Sequence, residues 1–390
     1  LTGYAFMKML LGALGYDAEV EQYTGANWSI NVAKRALNIG LDDDLVGDFN
    51  GIKAVNREEA CLYALNTLTA DMVEYDAKTT VSTNGTTVVI AGSKAKEMVN
   101  NGNTDGKVFD KDGVMQFAEK YFDNLTVKTG SDDFARPANV WKLKAEEIGT
   151  YTNTPDATYT KKVENGDIYK DLGLGSKIEA KDVSVYEDGV KKTNTVAIEK
   201  GDDTKVGNSG NGVLTEVFYD DDADTVTVTQ INTYVGSINK TVKATDKKDA
   251  YVVVTAEGPV PSQGFDNEFE TDEKFEDDAY VLYTYSLTAK EIKSVEAAKK
   301  VEGTVTVAEN SKTDLDEKKA LTIDGTRYKA AVKVGGEDIG EVSVKQDYTI
   351  YLDSYGYMIY VEENEEIGDY ALVLQTAAKS DFVGKKAELL

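Results

Sequence analysis

The chain has 390 residues, room for two to four domains, and its 41% hydrophobic and 29% charged residues with only 4 Pro make a globular balance that excludes a disordered stalk. Acidic residues number 69 against 43 basic ones, and the resulting formal charge of −26, spread along the sequence, repels nucleic acid and anionic membrane alike. With 0 His and 1 Cys there is no Ser-His-Asp triad, Cys-His pair, His-ligated zinc site or intrachain disulfide, and no run approaches the roughly 20 apolar residues of a membrane span.

The sequence opens at Leu1, without Met, directly into a helix whose Phe6, Met9, Leu10, Ala13 and Leu14 share one face and which stops at Gly15. It ends just as abruptly at Leu390, so it is expected to be an interior piece of a longer protein. A second helix is predicted from Trp28. Ala33, Ala36 and Leu37 fall at helical spacing there, Ile30 and Val32 widen the apolar side, and Gly40 stands where a left-handed cap belongs. After an acidic loop, Asn56 and Glu59 are spaced for a capping box. Cys61, Ala64, Leu65, Leu68 and Met72 then form an apolar stripe that places Cys61 in the core. Arg57 sits in the first turn of this helix, where a cation opposes the helix dipole, so something other than helix stability is expected to keep it.

Trp28, Ala33, Gly40, Phe49 and the run Asn56-Arg57-Glu58-Glu59-Ala60 together resemble the S-layer homology (SLH) domain, whose repeats carry Thr-Arg-Ala-Glu at the last of these places. Asn56 replaces the usual Thr, Glu58 the usual Ala, and Tyr23-Thr24-Gly25 a commoner Phe-x-Asp. The resemblance covers about the first fifth of the chain. It implies a small all-α, SLH-like wall-anchoring module over residues 1–76, its first helix the end of a preceding repeat, in a bacterial surface-layer protein held non-covalently to a secondary cell-wall polysaccharide. It also implies that Arg57 meets an anionic sugar, with Trp28 as a stacking face and Lys53 nearby. A guanidinium suits a carboxylate-bearing sugar because its planar fork binds two oxygens at once. The structural alternative pairs Arg57 with Asp48 or Glu58 and leaves Trp28 in the core.

Beyond residue 76 the helical period fades. A small α+β module is expected over 77–150, with a hairpin around Asn84-Gly85, a helix over 114–121 presenting Met115, Ala118 and Phe122, and a turn-rich passage ending at Trp141, read as a packing junction between modules. Thereafter the chain reads as strands and hairpins, with two-residue turns at Asp188-Gly189 and Asp324-Gly325 and an acidic turn over 220–224. The strands carry many of the 23 Tyr, a residue that packs its ring on a half-buried face and extends its hydroxyl to water. β-rich modules are expected over 151–257 and 279–390, the second truncated at its C-terminus, on either side of an acidic linker or seam at 258–278 that holds two of the four Pro. The fold class is therefore multidomain: a small all-α helical module followed by mainly-β modules, small sandwiches or barrels.

Two acidic clusters offer the hard oxygen ligands that calcium takes: Asp42, Asp44 and Asp48 between the second and third helices, and Asp220, Asp222 and Asp224 in the acidic turn. Neither has the EF-hand spacing, and solvated loops are the plainer reading. The function expected is structural and not enzymatic: an extracellular protein of the cell wall or S-layer, self-assembling with copies of itself into a lattice or filament through edge strands. Two other classes compete. A carbohydrate-binding module or adhesin would show a strip of exposed aromatics on one β face. A wall-attached hydrolase would hold two carboxylates of separated pKa in a deep pocket.

Overall fold

The hydroxyl of Thr2 accepts the amide of Ala5 and opens α1 (Gly3–Ala13), and the chain leaves that helix through Gly15 at φ +102°. The computed structural model describes residues 1–76, 79–83, 86–90, 94–100, 113–262, 266–311, 315–364, 379–381 and 384–386. α2 (Trp28–Asn38) is followed by Gly40 at φ +70°, where a Cβ would lie 2.3 Å from the carboxylate of Asp43. α3 (Arg57–Thr69) opens with the expected capping box. Asn56 Oδ1 accepts the Glu59 amide at 2.8 Å, and Glu59 Oε2 accepts the Asn56 amide at 2.9 Å.

The three helices enclose a small core that includes Met7, Leu11, Val32, Ala36 and Tyr63. The faces they bury differ from the expected stripes: α1 turns Met7 and Leu11 inward with Leu14, and Phe6 and Leu10 are only half-buried. Met9 in α1 and Ile30 and Leu37 in α2 are exposed, and α3 buries Tyr63 and Thr67 while leaving Cys61 and Ala64 in solvent. Cys61 is therefore a surface residue and not a core one. The reason lies in the aromatic contacts. Tyr63 meets Phe6 and Phe49 with ring centroids 6.2 Å apart in each pair, and that rotates α3 away from its aliphatic stripe. Thr67 tolerates burial because its hydroxyl donates to the Tyr63 carbonyl at 2.7 Å.

β1 (Val73–Glu74) pairs with β4 (Lys96–Glu97), and between them β2 (Thr79–Thr83) and β3 (Thr86–Ile90) pair in the register Thr83↔Thr86. The predicted turn residues Asn84 and Gly85 lie outside the described residues. The expected helix over 114–121 is only the short α4 (Phe117–Tyr121), with Ala118 buried and Phe122 exposed. β5 (Leu125–Ser131), β6 (Pro137–Leu143) and β7 (Glu146–Thr152) form an antiparallel sheet in that order. Trp141 packs with Ala118, Leu125 and Val127 beneath this sheet, and Leu65 and Leu68 of α3 pack against the same cluster, so the indole sits where the expected first and second modules meet.

β8 (Ala157–Tyr159) and the short α5 (Asn165–Asp171) lead into β9 (Val183–Glu187), β10 (Val190–Lys191), β11 (Val213–Asp220) and β12 (Thr225–Asn232), in a sheet of order β10-β9-β12-β11-β8. A second five-stranded sheet, of order β15-β14-β13-β16-β17, is built from β13 (Tyr234–Val242), β14 (Tyr251–Ala256), β15 (Glu268–Glu270), β16 (Tyr280–Ser286) and β17 (Glu291–Ala297). β18 (Lys299–Asn310), α6 (Leu315–Lys318), β19 (Lys319–Ile323), β20 (Thr326–Gly336), β21 (Asp347–Leu352) and β22 (Met358–Glu363) follow, and their strands close a barrel of order β18-β19-β20-β22-β21. The barrel closes because β18 is long enough to pair with β21 along 299–304 and with β19 along 305–310. β23 (Lys379–Asp381) and β24 (Gly384–Lys386) form a last short pair. The predicted turns at Asp188-Gly189 and Asp324-Gly325 both have two consecutive left-handed residues, as a two-residue hairpin turn requires. The protein is thus mostly β with a few N-terminal helices. No described helix is long and apolar enough to cross a membrane.

Contacts divide the chain into two units, residues 1–157 with 217–228 and residues 158–216 with 229–390. The change from the first unit to the second at 157/158 falls close to the expected boundary at 150. The seam at 258–278 lies inside the second unit, where β15 pairs with β14 and Phe269 packs on the sheet core despite the surrounding acids. Thr233 alone separates the end of β12 from β13, and within the second unit only Ala298 separates β17 from β18. Asp353, in the turn between β21 and β22, accepts the amides of Tyr355 and Tyr357 through Oδ1, while its buried Oδ2 has no hydrogen-bond partner among the described residues. Gly212 faces that oxygen so closely that a Cβ would lie 2.4 Å away. Burial pushes the Asp353 carboxyl up to about 6; the three backbone amides of Tyr357, Tyr355 and Gly356 oppose the shift, and Glu296 adds to it.

Two tests follow from this packing. A thiol reagent should label Cys61 in the native protein nearly as fast as in urea; protection of about a hundredfold or more would place it in the core. For Asp353 the folded-state pKa is the higher one, so the ionised form destabilises the fold above about pH 6, and that penalty disappears as pH falls through 6 towards 3.8. Denaturant titrations of wild type and Asp353→Asn should therefore diverge by about 3 kcal/mol in favour of wild type between pH 7 and pH 3.5, and a pH-independent difference would sink the assignment.

Candidate functional site

The first residues of the chain dock on the loop that presents the predicted cations. Gly3 donates its amide to the Lys53 carbonyl at 3.0 Å, Tyr4 donates to Gly51 at 2.8 Å, and Thr2 bridges Ala54. Arg57 then begins α3, fully exposed. Among the described residues neither Asp48 nor Glu58, nor any other side chain, pairs with it. The Asn56–Glu59 capping box is complete without Arg57, and a cation in the first turn costs about 0.3–1 kcal/mol against the helix dipole. Lys53 is tethered, its Nζ lying 3.6 Å from Glu59 Oε1.

Trp28, at the start of α2, is half-buried and edge-on to Tyr4 with centroids 6.3 Å apart; Tyr4 in turn meets Phe49 at 5.9 Å. Lys8 Nζ lies 5.3 Å from the Trp28 ring centre and also donates to the Tyr23 carbonyl at 2.7 Å. The indole is thus part of an aromatic chain running Trp28, Tyr4, Phe49, Tyr63. No hydrogen bond, ion pair or ring contact among the described residues joins Trp28 to Arg57 or Lys53, so the three predicted residues do not form one direct cluster.

The acidic loops do not converge as calcium ligands. Among the described residues no group of three or more Asp, Glu, Cys or His side chains is arranged to hold a metal ion. Asp42 is half-buried and burial raises its carboxyl pKa, Asp44 accepts the Thr154 hydroxyl at 2.8 Å, and Asp48 is exposed. In the hairpin turn Asp220 Oδ1 accepts the Ala223 amide at 2.9 Å and Asp224 Oδ1 accepts the Tyr219 hydroxyl at 3.0 Å, while Asp222 is exposed. One oxygen each of Asp44, Asp220 and Asp224 is engaged in these local hydrogen bonds.

One feature of the helical module had no sequence signal beyond its individual residues. A cleft of about 520 Å³ runs beside α2, lined by Tyr16, Arg35, Asn38, Asn66, Asp71 and Glu97 among others. Arg35 lies over the Tyr16 ring, 5.2 Å from its centre, and its guanidinium donates to Glu21 Oε2 at 3.2 Å. Burial lowers the Arg35 pKa, but the Glu21 hydrogen bond and neighbouring negative groups outweigh it and the net shift is upward. Glu21 also accepts the Tyr75 hydroxyl at 2.8 Å. The cleft offers amides and a partly neutralised cation, a set that hydrogen-bonds hydroxyl-rich groups.

No protein-family model, curated protein or solved structure matches the chain.

Proposed function

We propose that this chain belongs to a structural surface-layer protein of a bacterial cell wall. Its helical module contacts an anionic secondary cell-wall polysaccharide, and its β portion meets copies of itself in an extracellular lattice or filament. The observation that carries this reading is Arg57, an exposed cation with no ion-pair partner among the described residues, at a helix start that needs no cation and is disfavoured by one. A guanidinium kept in solvent at such a position is free to take a carboxylate or phosphate oxygen pair from a ligand. Lys53, one turn away on the docked loop, adds a second positive charge partly offset by Glu59. Trp28 serves the aromatic core and reaches a ligand only with its exposed margin.

The adhesin alternative draws less support. Tyr234, Tyr283, Tyr285, Tyr348 and Tyr351 turn their rings into the cores of the strands that carry them, where an adhesin would display them. Calcium enters this proposal only as an ion that bridges acidic surfaces between copies.

Co-sedimentation with purified wall polysaccharide tests the anchoring half. Arg57→Glu should lower the retained fraction about tenfold, the effect of one charge-assisted contact, and Arg57→Lys should lie between it and wild type. Retention of Arg57→Glu at the wild-type level would remove the wall contact from this residue. Electron microscopy of the purified chain tests the other half: sheets, tubes or filaments are expected, and a monodisperse monomer at every concentration and calcium level counts against assembly.

A further inference from the structure

The β5-β6-β7 sheet buries one face through Leu125, Val127 and Trp141, which leaves its opposite face for solvent. On that face the registers Thr126↔Lys142 and Lys128↔Val140 set two lysines at diagonal positions of neighbouring strands. With Thr126, Thr129, Val140 and Ala145 they line a groove of about 480 Å³ that includes no acidic side chain in its lining. The six lining residues carry two positive charges and no negative one, with Glu147 the neighbour of Lys142 on the next strand. Among the described residues neither Lys128 nor Lys142 has an ion pair. Glu147, opposite Lys142 in register, instead accepts the Thr150 hydroxyl at 2.7 Å.

The same unit carries a complementary object. The tip of the β11–β12 hairpin places Asp220, Asp221, Asp222 and Asp224 in solvent, and among the described residues none of them is paired with a cation. The tip is preorganised. Its turn is held by the Asp220 and Asp224 hydrogen bonds described above, and its base is fastened by Asp156, whose Oδ2 accepts the Tyr219 amide at 2.7 Å and whose amide donates to the Val217 carbonyl at 2.8 Å.

We propose that the acidic β11–β12 tip of one copy seats in the lysine groove of the β5-β6-β7 sheet of the next. This inference rests on the self-assembly reading and names its contact. Two chains of net charge −26 repel at every approach except one that sets a strongly acidic surface against a locally basic one. Tip and groove are different surfaces present on every copy, so the contact is heterologous and repeats, as an extended assembly requires. Because both partners are solvent-exposed, its strength falls as salt shortens the screening length. The competing occupant of the groove is an anionic wall polymer.

Sedimentation velocity of the 390-residue chain, at about 0.02 M and about 0.5 M salt, compares four proteins: wild type, Lys128→Glu with Lys142→Glu, Asp221→Lys with Asp222→Lys, and the combination of all four substitutions. Circular dichroism establishes that each is folded. Wild type should associate with concentration and do so less at high salt. Each charge-reversed pair should weaken association about tenfold or more, and the combined variant, which restores the wild-type net charge and the complementarity, should regain it. Wild-type-like association of the lysine variant overturns the contact and leaves assembly standing, as does a combined variant no better than the pairs. A lysine variant that assembles normally but loses retention on wall polysaccharide assigns the groove to the polymer and likewise overturns the contact. Wild type that stays monomeric throughout overturns the assembly reading itself.

Discussion

The buried carboxylate of Asp188 joins the end of β12 to the start of β13, where two sheets meet across a single residue. Thr233 alone separates β12 from β13, so the strands change sheets with no linker to absorb a mismatch. Asp188 sits in the tight β9–β10 turn and reaches both sides of that change. Oδ1 accepts the Asn232 amide at 2.9 Å, Oδ2 accepts the Asn232 side chain at 2.9 Å and the Tyr234 hydroxyl at 2.7 Å, and its carbonyl accepts the Leu287 amide at 2.9 Å. Burial raises the Asp188 pKa against those hydrogen bonds. For its neighbour Glu187 burial pulls the same way, but hydrogen bonds from Lys192, Asn232 and Asn208 outweigh it and hold the carboxyl below its ordinary range. The two adjacent carboxylates thus shift in opposite directions because Glu187 has the Lys192 cation beside it and Asp188, among the described residues, has none.

A second joint is aromatic. Tyr280 of β16 stacks on Tyr351 of β21 with centroids 4.1 Å apart and meets Tyr360 of β22 at 5.1 Å, and Val235, Leu282 and Ile359 close the same cluster. Ala298 is the only residue between the sheet and the barrel it contacts. Asn211 adds a polar tie, its side chain donating to the Ala330 carbonyl at 3.2 Å and its backbone carbonyl accepting the Val332 amide at 2.9 Å. Glu268–Glu270, inside the acidic stretch that reads as a linker in the sequence, nevertheless form a strand of the sheet.

What the sequence disclosed was what short-range physics decides. Asn56 and Glu59 specified a cap, Gly15 and Gly40 specified helix ends, and Asp188-Gly189 and Asp324-Gly325 specified two-residue turns, because each depends on neighbours within about four residues. The rotation of α3 was hidden, since it follows from Tyr63 meeting Phe6 and Phe49, residues far away in the chain, and this is what sends Cys61 to the surface. The tyrosines followed the same logic. Period and composition put them in strands, but only pairing of β13 with β16 sets Tyr234 against Tyr283 in the core and brings the Tyr234 hydroxyl to Asp188. Of the candidate site, Arg57 stood out through a local conflict with the helix dipole, whereas the Arg35 cleft and the Lys128–Lys142 groove arise from helix packing and strand register.

Charge gives these surfaces their meaning. A protein with 69 acids and 43 bases stays apart from its copies by default, and spread acidity gives it solubility without any particular contact. Under that repulsion an acidic loop carries little information, because most surfaces of the molecule look alike to an approaching ligand. A place that breaks the pattern carries much more. Arg57 breaks it at a helix start, and Lys128 with Lys142 break it on a sheet face, and neither site has an ion pair within the described chain that would make its charge a matter of internal stability. The first is a single guanidinium in open solvent, suited to a flexible polymer that can wrap towards it. The second is a groove on a strand-paired sheet face, and its proposed occupant is the hairpin tip with four exposed aspartates in five residues. A wall contact and a self contact can therefore coexist without competing for the same cations.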